Sequence, residues 1–188
     1  MLAAPLKEIT EEEYLDIERE SQIKHEYHEG EIFSMAGASE THNLIVTNIV
    51  RELGNQLRKK DCYIYANDMK LQIKDTSKFV YPDVIVVCGE RKFFDDSRDV
   101  LLEANLIIEV LSDSTEAYDR GKKFSSYRQI KSFKEYLLIS QHEKQIEKFL
   151  KHDNGYWKFS EIIDSQEDII LESIDCKLNI DDVYEKVL

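Results

Sequence analysis

A short apolar segment with a carboxylate at its centre places the strongest constraint on how this chain can fold. Residues 106–112 read LIIEVLS, so Glu109 is surrounded by Leu, Ile and Val. The run is short, rich in β-branched residues and followed by a polar cluster, which is typical of a strand buried on both faces. An ionised carboxylate is costly to bury unless it is paired, protonated or bound to a metal. The sequence therefore predicts a specific partner for Glu109.

The remaining composition indicates one globular domain over residues 1–188. Hydrophobic residues make up 42% of the chain, and only two prolines and six glycines interrupt it. No apolar stretch reaches the roughly 18 residues of a transmembrane helix, and residues 1–20 lack the apolar core of a signal peptide. The cysteines Cys62, Cys88 and Cys176 form neither a disulfide framework nor a CxxC zinc pattern. We therefore expect a cytoplasmic protein with reduced thiols.

Charge is distributed unevenly along the chain. The net charge of −13 disfavours non-specific coating of nucleic acid. Residues 119–134 are the exception, because six basic residues and one acid give this segment a charge of +5. It could contact phosphates or be a solvated helix face. The candidate nucleic-acid-binding residues are Arg120, Lys122, Arg128, Lys131 and Lys134.

Local patterns predict a mixed α/β domain. Thr10 and Glu13 form a capping box for a helix over residues 10–24. HEYHEGEIFSMAG predicts a β-hairpin that turns at Glu29-Gly30, and a second hairpin is predicted at Asn154-Gly155. Further helices are predicted over 40–60 and 116–131, strands over 62–66, 69–73, 84–87, 106–112 and 135–140, and a short strand and helix in the tail.

Charged residues of three separate segments could converge at one point. Asp83 follows Pro82 at the start of a predicted strand, and Glu109 lies in another strand. Asp119, Lys123 and Tyr127 are spaced four apart, so on a helix they share one face. Two carboxylates suit Mg²⁺, and a nearby lysine can stabilise developing negative charge.

These motifs resemble those of the PD-(D/E)XK nuclease superfamily, and within it the Uma family of restriction-type endonucleases. The matching segments are HEYHEGEI, SETHNLIVTNI, YPDVIVV, LIIEVLSDSTEAYDRGKKFSSYRQ and EYLLIS, which together span roughly residues 25 to 140. The resemblance implies a restriction-endonuclease-like fold, with a central mixed β-sheet flanked by helices and antiparallel hairpins at the ends.

The lysine departs from the superfamily pattern. The usual lysine follows the acid by two residues, and Leu111 occupies that position here. In the family that this sequence resembles, the lysine is on the following helix, which makes Lys123 the match and leaves the adjacent Lys122 as an alternative. The resemblance also implies that Asp83 and Glu109 bind Mg²⁺ or Mn²⁺.

Four further residues are possible accessory groups: Glu26, His42, Asp119 and Tyr127. Each has a simpler interpretation. Glu26 could be solvated, His42 could lie in the first helical turn after an N-cap at Thr41, and Tyr127 could be core. Asp119 and Lys123 could form a surface ion pair, and Glu109 could pair with Lys123 or Arg120 only to support the fold.

The functional expectation is a metal-dependent DNA endonuclease, with Asp83, Glu109 and Lys123 as catalytic residues. The superfamily resemblance implies a homodimer. One alternative is a non-catalytic interaction protein that keeps the nuclease fold, and another is a nuclease that acts on RNA or branched DNA.

Overall fold

Strands supply most of the regular structure in the computed structural model, which describes residues 8–187. The first half contains α1 (Glu11–Glu20), β1 (His25–His28), β2 (Glu31–Ser34), α2 (Glu40–Leu57), β3 (Cys62–Ala66), β4 (Lys70–Ile73), β5 (Lys78–Val80) and β6 (Val84–Cys88). The second half contains β7 (Val100–Leu101), β8 (Leu106–Val110), α3 (Glu116–Tyr118), α4 (Phe124–Tyr127), β9 (Glu135–Ile139), β10 (Gln145–Lys151), β11 (Trp157–Ile163), β12 (Ile169–Leu171), β13 (Cys176–Leu178) and α5 (Ile180–Val183).

These strands form two sheets and a separate hairpin. The larger sheet has the order β11-β10-β9-β8-β6-β3, and its only parallel pair is β8 with β9 within the described residues. The smaller sheet has the order β2-β1-β5-β4-β7, and β12 pairs with β13. The predicted mixed sheet with antiparallel hairpins is therefore confirmed. The sequence did not predict the smaller sheet, because β5 and β7 are only three and two residues long.

Helix α2 covers one face of the larger sheet. Its buried residues Ile45, Ile49 and Leu53 recur at helical spacing and belong to the same cluster as Val84 and Ile108. The helix begins after Ser39, whose hydroxyl accepts a hydrogen bond from the His42 N–H at 3.1 Å, so the predicted N-cap at Thr41 is wrong. The helix ends at Leu57, three residues earlier than predicted.

The opposite face of the sheet packs against the smaller sheet and the helical segment 116–127. Ile85 and Ile107 join a second apolar cluster with Leu71, Tyr127 and others. Side chains alternate between the two faces of a strand. Because Ile108 and Val110 belong to the α2 side, Glu109 is directed to this second side.

The N-terminal elements follow the sequence closely. Both hydrogen bonds of the predicted capping box are present between Thr10 and Glu13, although α1 ends at Glu20. The hairpin turns at Glu29 and Gly30, which both have positive φ. Helix 116–131 is shorter than predicted and ends at Tyr127, with a π-helical turn over Asp119–Lys123. The tail contains two strands instead of the single predicted strand.

The cysteine prediction needs a correction. Cys62 and Cys88 are joined by a disulfide, whereas Cys176 is free and buried. The two bonded residues are 26 apart in sequence but lie directly opposite each other on the antiparallel strands β3 and β6. The expectation of three reduced thiols was wrong because spacing along the chain does not reveal strand register.

None of the helices between residues 8 and 187 combines the length and the apolar composition that a bilayer crossing requires. The absence of a signal peptide was predicted from residues 1–20. Residues 1–7 of that segment lie outside the described part of the chain.

Candidate active site

Asp83 and Glu109 are neighbours across two antiparallel strands. Val84 of β6 pairs with Ile108 of β8, so the next two residues, Asp83 and Glu109, lie opposite each other and on the same face. The Val110 N–H donates to Asp83 Oδ2 at 2.8 Å, and the Asp83 N–H donates to Glu109 Oε2 at 3.3 Å. The strand register thus brings the two predicted acids together.

Lys123 is the lysine of this site. Its Nζ lies 2.9 Å from Glu109 Oε1, 3.4 Å from Asp119 Oδ1 and 3.8 Å from Glu26 Oε1. Burial alone lowers the pKa of the Lys123 ammonium, but these three carboxylates outweigh burial and hold the pKa well above its usual range. Lys122 is exposed. The structure therefore places Lys123, and not its neighbour, beside Glu109.

Glu109 is held by several donors in a dry environment. The side chain is 3% exposed, and Oε1 accepts a hydrogen bond from the Tyr127 hydroxyl at 2.6 Å in addition to the contact with Lys123. Burial raises the pKa of Glu109; Lys123 and Tyr127 lower it, Asp83 and Asp119 raise it, and the net result is a pKa of about 8. Without another cation, the carboxyl therefore tends to hold a proton at neutral pH.

The helical segment that carries these groups changes its winding at the site. A π-helical turn covers Asp119–Lys123, between α3 and α4. Asp119, Lys123 and Tyr127 are all buried, which agrees with the predicted shared face. The Tyr136 hydroxyl donates to the Asp119 carbonyl oxygen at 3.2 Å and ties this turn to β9. Single π turns within α-helices occur frequently at functional sites.

His42 and Glu26 complete the surroundings. His42 Nε2 lies 3.1 Å from Asp83 Oδ2, and its side chain is only 12% exposed, so it is not a surface histidine. Glu26 Oε1 accepts a hydrogen bond from the Tyr81 N–H at 3.2 Å. Tyr81 was missed in the sequence, although it immediately precedes Pro82. Its hydroxyl donates to the buried Glu18 at 2.7 Å and so links the site to α1.

The site opens into a cleft of about 1070 Å³. The acids, Lys123 and His42 line its interior, and residues 33–39, the loop 112–115 and Gln141 form much of the remaining wall. The Ser39 hydroxyl donates to Gln141 Oε1 at 2.5 Å, and Gln141 Nε2 donates to the Leu111 carbonyl oxygen at 2.6 Å. These bonds join the start of α2 to the end of β8. Substrate reaching Glu109 would enter here.

The predicted nucleic-acid-binding residues do not line this cleft. Arg120 contacts Glu116 and Glu147, the latter at 2.6 Å, so its charge is already paired. Lys122, Arg128, Lys131 and Lys134 are exposed. Lys134 precedes the start of β9, where Glu135 pairs with Leu106, and so lies toward the opposite end of β8 from Glu109.

The donor atoms suit a hard divalent cation. Glu109 Oε1 and Asp83 Oδ2 have protein partners, whereas Glu109 Oε2 receives only the long bond from Asp83 and no donor to Asp83 Oδ1 is found within residues 8–187. Mg²⁺ commonly binds one or two carboxylates and keeps several waters. Over the same residues, no group of three or more His, Cys, Asp or Glu is arranged as a ready-made metal site. The fit rests on two carboxylates.

The overall fold is restriction-endonuclease-like. A crystal structure described as a "putative nuclease belonging to DUF820" from Anabaena variabilis superposes with a TM-score of 0.78. The match covers 96% of this chain and 99% of the Anabaena chain at 16% sequence identity, so it shows the fold.

Sequence comparison then gives the family. Residues 11–181 match the family model Uma2, described as "Putative restriction endonuclease". The chain belongs to this family, which confirms the resemblance in its motifs. Two Synechocystis proteins, the uncharacterized proteins slr1290 and sll1609, are each 36% identical to it over 182 and 169 residues. Those alignments cover 97% and 90% of this chain and 94% and 96% of the relatives.

Proposed function

We propose that this protein is a divalent-cation-dependent endonuclease that hydrolyses phosphodiester bonds in DNA. One observation carries the proposal: Asp83 and Glu109 lie opposite each other at the base of a cleft, with the Lys123 ammonium 2.9 Å from Glu109. Membership of a family described as restriction endonucleases supports DNA as the substrate.

Asp83 and Glu109 would hold Mg²⁺ or Mn²⁺. Such an ion supplies a Lewis acid for a phosphate oxygen and lowers the pKa of water. His42 orients Asp83 from one side, and the Val110 N–H orients it from the other. Tyr127 fixes Glu109 through a short hydrogen bond. These contacts reduce the rearrangement that cation binding requires, because second-shell hydrogen bonds hold the ligands in place.

Lys123 would stabilise the negative charge that develops on the scissile phosphate. A preorganised cation in a water-poor site is effective for this purpose because it needs little reorganisation during the reaction. Leu111, directly after β8, occupies the superfamily's usual lysine position and carries no charge. The helical segment supplies the charge through Lys123 instead. The lysine's displacement from strand to helix is therefore compatible with the same chemistry.

The test is cleavage of supercoiled plasmid with increasing Mg²⁺ or Mn²⁺. We expect the wild type to nick the plasmid and Asp83→Asn and Glu109→Gln to lose the activity while remaining folded. Glu103→Gln is the matched control, because Glu103 pairs with Lys92 at 2.7 Å outside the cleft. RNA and branched DNA serve as parallel substrates. Cleavage of one of these alone would change the substrate class, and no cleavage of any of them would contradict the proposal.

A homodimer would allow two such sites to cut both strands, and sedimentation measurements of the full chain test it. The single-domain organisation over residues 1–188 and the cytoplasmic location stay predictions.

A further inference from the structure

Asp119 is a buried acid without an adequate partner. Its side chain is 4% exposed, and Oδ1 accepts no hydrogen bond from the described residues. The nearest cation is Lys123 Nζ at 3.4 Å, which is close enough for an ion pair but does not form a hydrogen bond. Buried polar groups are almost always satisfied, and an exception calls for a specific explanation.

The environment of Lys123 supplies that explanation. Its ammonium lies among three carboxylates, and it makes its short contact with Glu109. The Glu26 oxygen nearest to Lys123 already accepts the Tyr81 N–H. Of the three carboxylate oxygens that face Lys123 among the described residues, Asp119 Oδ1 is the one that accepts no hydrogen bond.

A divalent cation on Glu109 would change the balance among these acids. It would displace any proton from Glu109, take over the charge of the carboxylate and repel the ammonium, because like charges at short range in a poorly solvated site repel strongly. The 3.4 Å contact lacks the angles of a hydrogen bond, so Lys123 Nζ would have to approach Asp119 Oδ1 by about 0.6 Å and reorient to form a charge-assisted hydrogen bond. The movement is small enough for one side chain to make without a backbone change.

We propose that Asp119 is the positioning residue that holds Lys123 when a cation occupies Asp83 and Glu109. Lys123 thus has two partners: Glu109 in the metal-free protein and Asp119 in the metal-bound protein. The π-helical turn over Asp119–Lys123 contains both groups. This inference rests on the proposed function, because it assumes that Glu109 binds a cation.

The experiment compares Asp119→Asn with the wild type by titration calorimetry with Mg²⁺ and by thermal melting. In metal-free Asp119→Asn, Lys123 keeps its short contact with Glu109, so the melting temperature should remain close to that of the wild type. The bound cation would instead leave the ammonium with Glu26, at 3.8 Å, as its remaining carboxylate partner. We therefore expect about tenfold weaker Mg²⁺ binding, in the range for loss of a second-shell contact, together with a lower kcat and an unchanged KM for plasmid.

Two further Asp119 variants and one control variant support this comparison. Asp119→Glu keeps the carboxylate and should recover most of the Mg²⁺ affinity, and Asp119→Ser is a second uncharged variant if Asp119→Asn does not fold. Glu135→Gln is the matched control, because Glu135 is 0% exposed, lies 3.2 Å from Lys148 and also has a buried oxygen without a hydrogen bond. It lies at the far end of β9 and should leave Mg²⁺ affinity unchanged.

The outcomes separate this inference from the proposed function. No Mg²⁺ or Mn²⁺ binding by the wild type would overturn both. Normal metal binding by the wild type and by both uncharged Asp119 variants would overturn the role of Asp119 alone. A large loss of metal-free stability in those variants with unchanged metal affinity would make Asp119 a structural acid and would also refute the inference.

Discussion

Replacement of Lys123 by Met separates an enzyme from a protein that merely keeps the nuclease fold. The substitution keeps an unbranched side chain of similar length and removes the charge that lies 2.9 Å from Glu109. Breaking a buried ion pair costs about 3–5 kcal/mol when the remaining charge cannot be neutralised. Glu109 can be neutralised, because burial raises its pKa to about 8 and it takes up a proton below that pH.

The loss of stability in Lys123→Met therefore depends on pH. Above the pKa of about 8, Glu109 of the wild type loses its proton and pairs with Lys123. In the variant, Glu109 keeps the proton, because the loss of the Lys123 charge raises the pKa of Glu109 further. The folded variant then binds one proton more than its unfolded state, so its stability falls as the pH rises. Each pH unit costs about 1.36 kcal/mol. At about pH 9.5 the extra loss is about 2 kcal/mol, which lowers the melting temperature by roughly 4–8 °C for a chain of this length.

The assay combines thermal melting at several pH values, with and without Mg²⁺, and plasmid cleavage. A cation on Glu109 replaces the proton, so Mg²⁺ should remove the pH-dependent loss. At about 100 times Kd it should also add about 2.7 kcal/mol of stability by mass action. Cleavage should fall by about 10²-fold or more, as for the loss of one electrostatic contact to the transition state.

Lys148→Met is the matched control. Lys148 is also buried and lies 3.2 Å from the buried Glu135, but outside the cleft. Its stability loss should be the same with and without Mg²⁺. The reasoning about Glu109 fails if wild type and Lys123→Met keep a constant separation in melting temperature from neutral to alkaline pH. A large loss that Mg²⁺ does not change, in a protein whose wild type cleaves no DNA, would favour the non-catalytic interaction protein.

Three further predictions concern the cation, the disulfide and the basic segment. Mg²⁺ affinity of the wild type should rise as the pH increases toward about 8, because the ion competes with the proton on Glu109, and calorimetric affinities that stay constant with pH would contradict this. Cys62→Ser should lower the free energy of unfolding by about 3.5 kcal/mol, as expected for the loop that the Cys62–Cys88 disulfide closes. Denaturant titrations measure this loss, and a reductant should destabilise the wild type but not the variant. Lys131→Glu with Lys134→Glu should lower the salt slope of DNA binding by about two if both contact phosphates, and an unchanged slope would indicate a solvated face.

Several elements could be predicted because their signals are local. The capping box of Thr10 and Glu13, the turn at Glu29-Gly30 and the apolar spacing of α2 each depend on residues within a few positions of one another. The unusual place of Glu109 was also local, since one acid interrupted an apolar run. The order of the motifs was enough to indicate the family.

Tertiary structure decided the features that depend on strand register and on distant partners. In the folded protein Cys62 is bonded to Cys88, and Asp83 lies opposite Glu109. Arg120 forms an ion pair with Glu147 of β10. The sequence alone predicted an acid that needs a partner and a helix that carries a lysine. The packing of that segment against the sheet then brought Lys123, the lysine that the family resemblance had favoured, and not Lys122 to the acid, because two adjacent residues on a helical turn point in different directions and only Lys123 is buried beside Glu109.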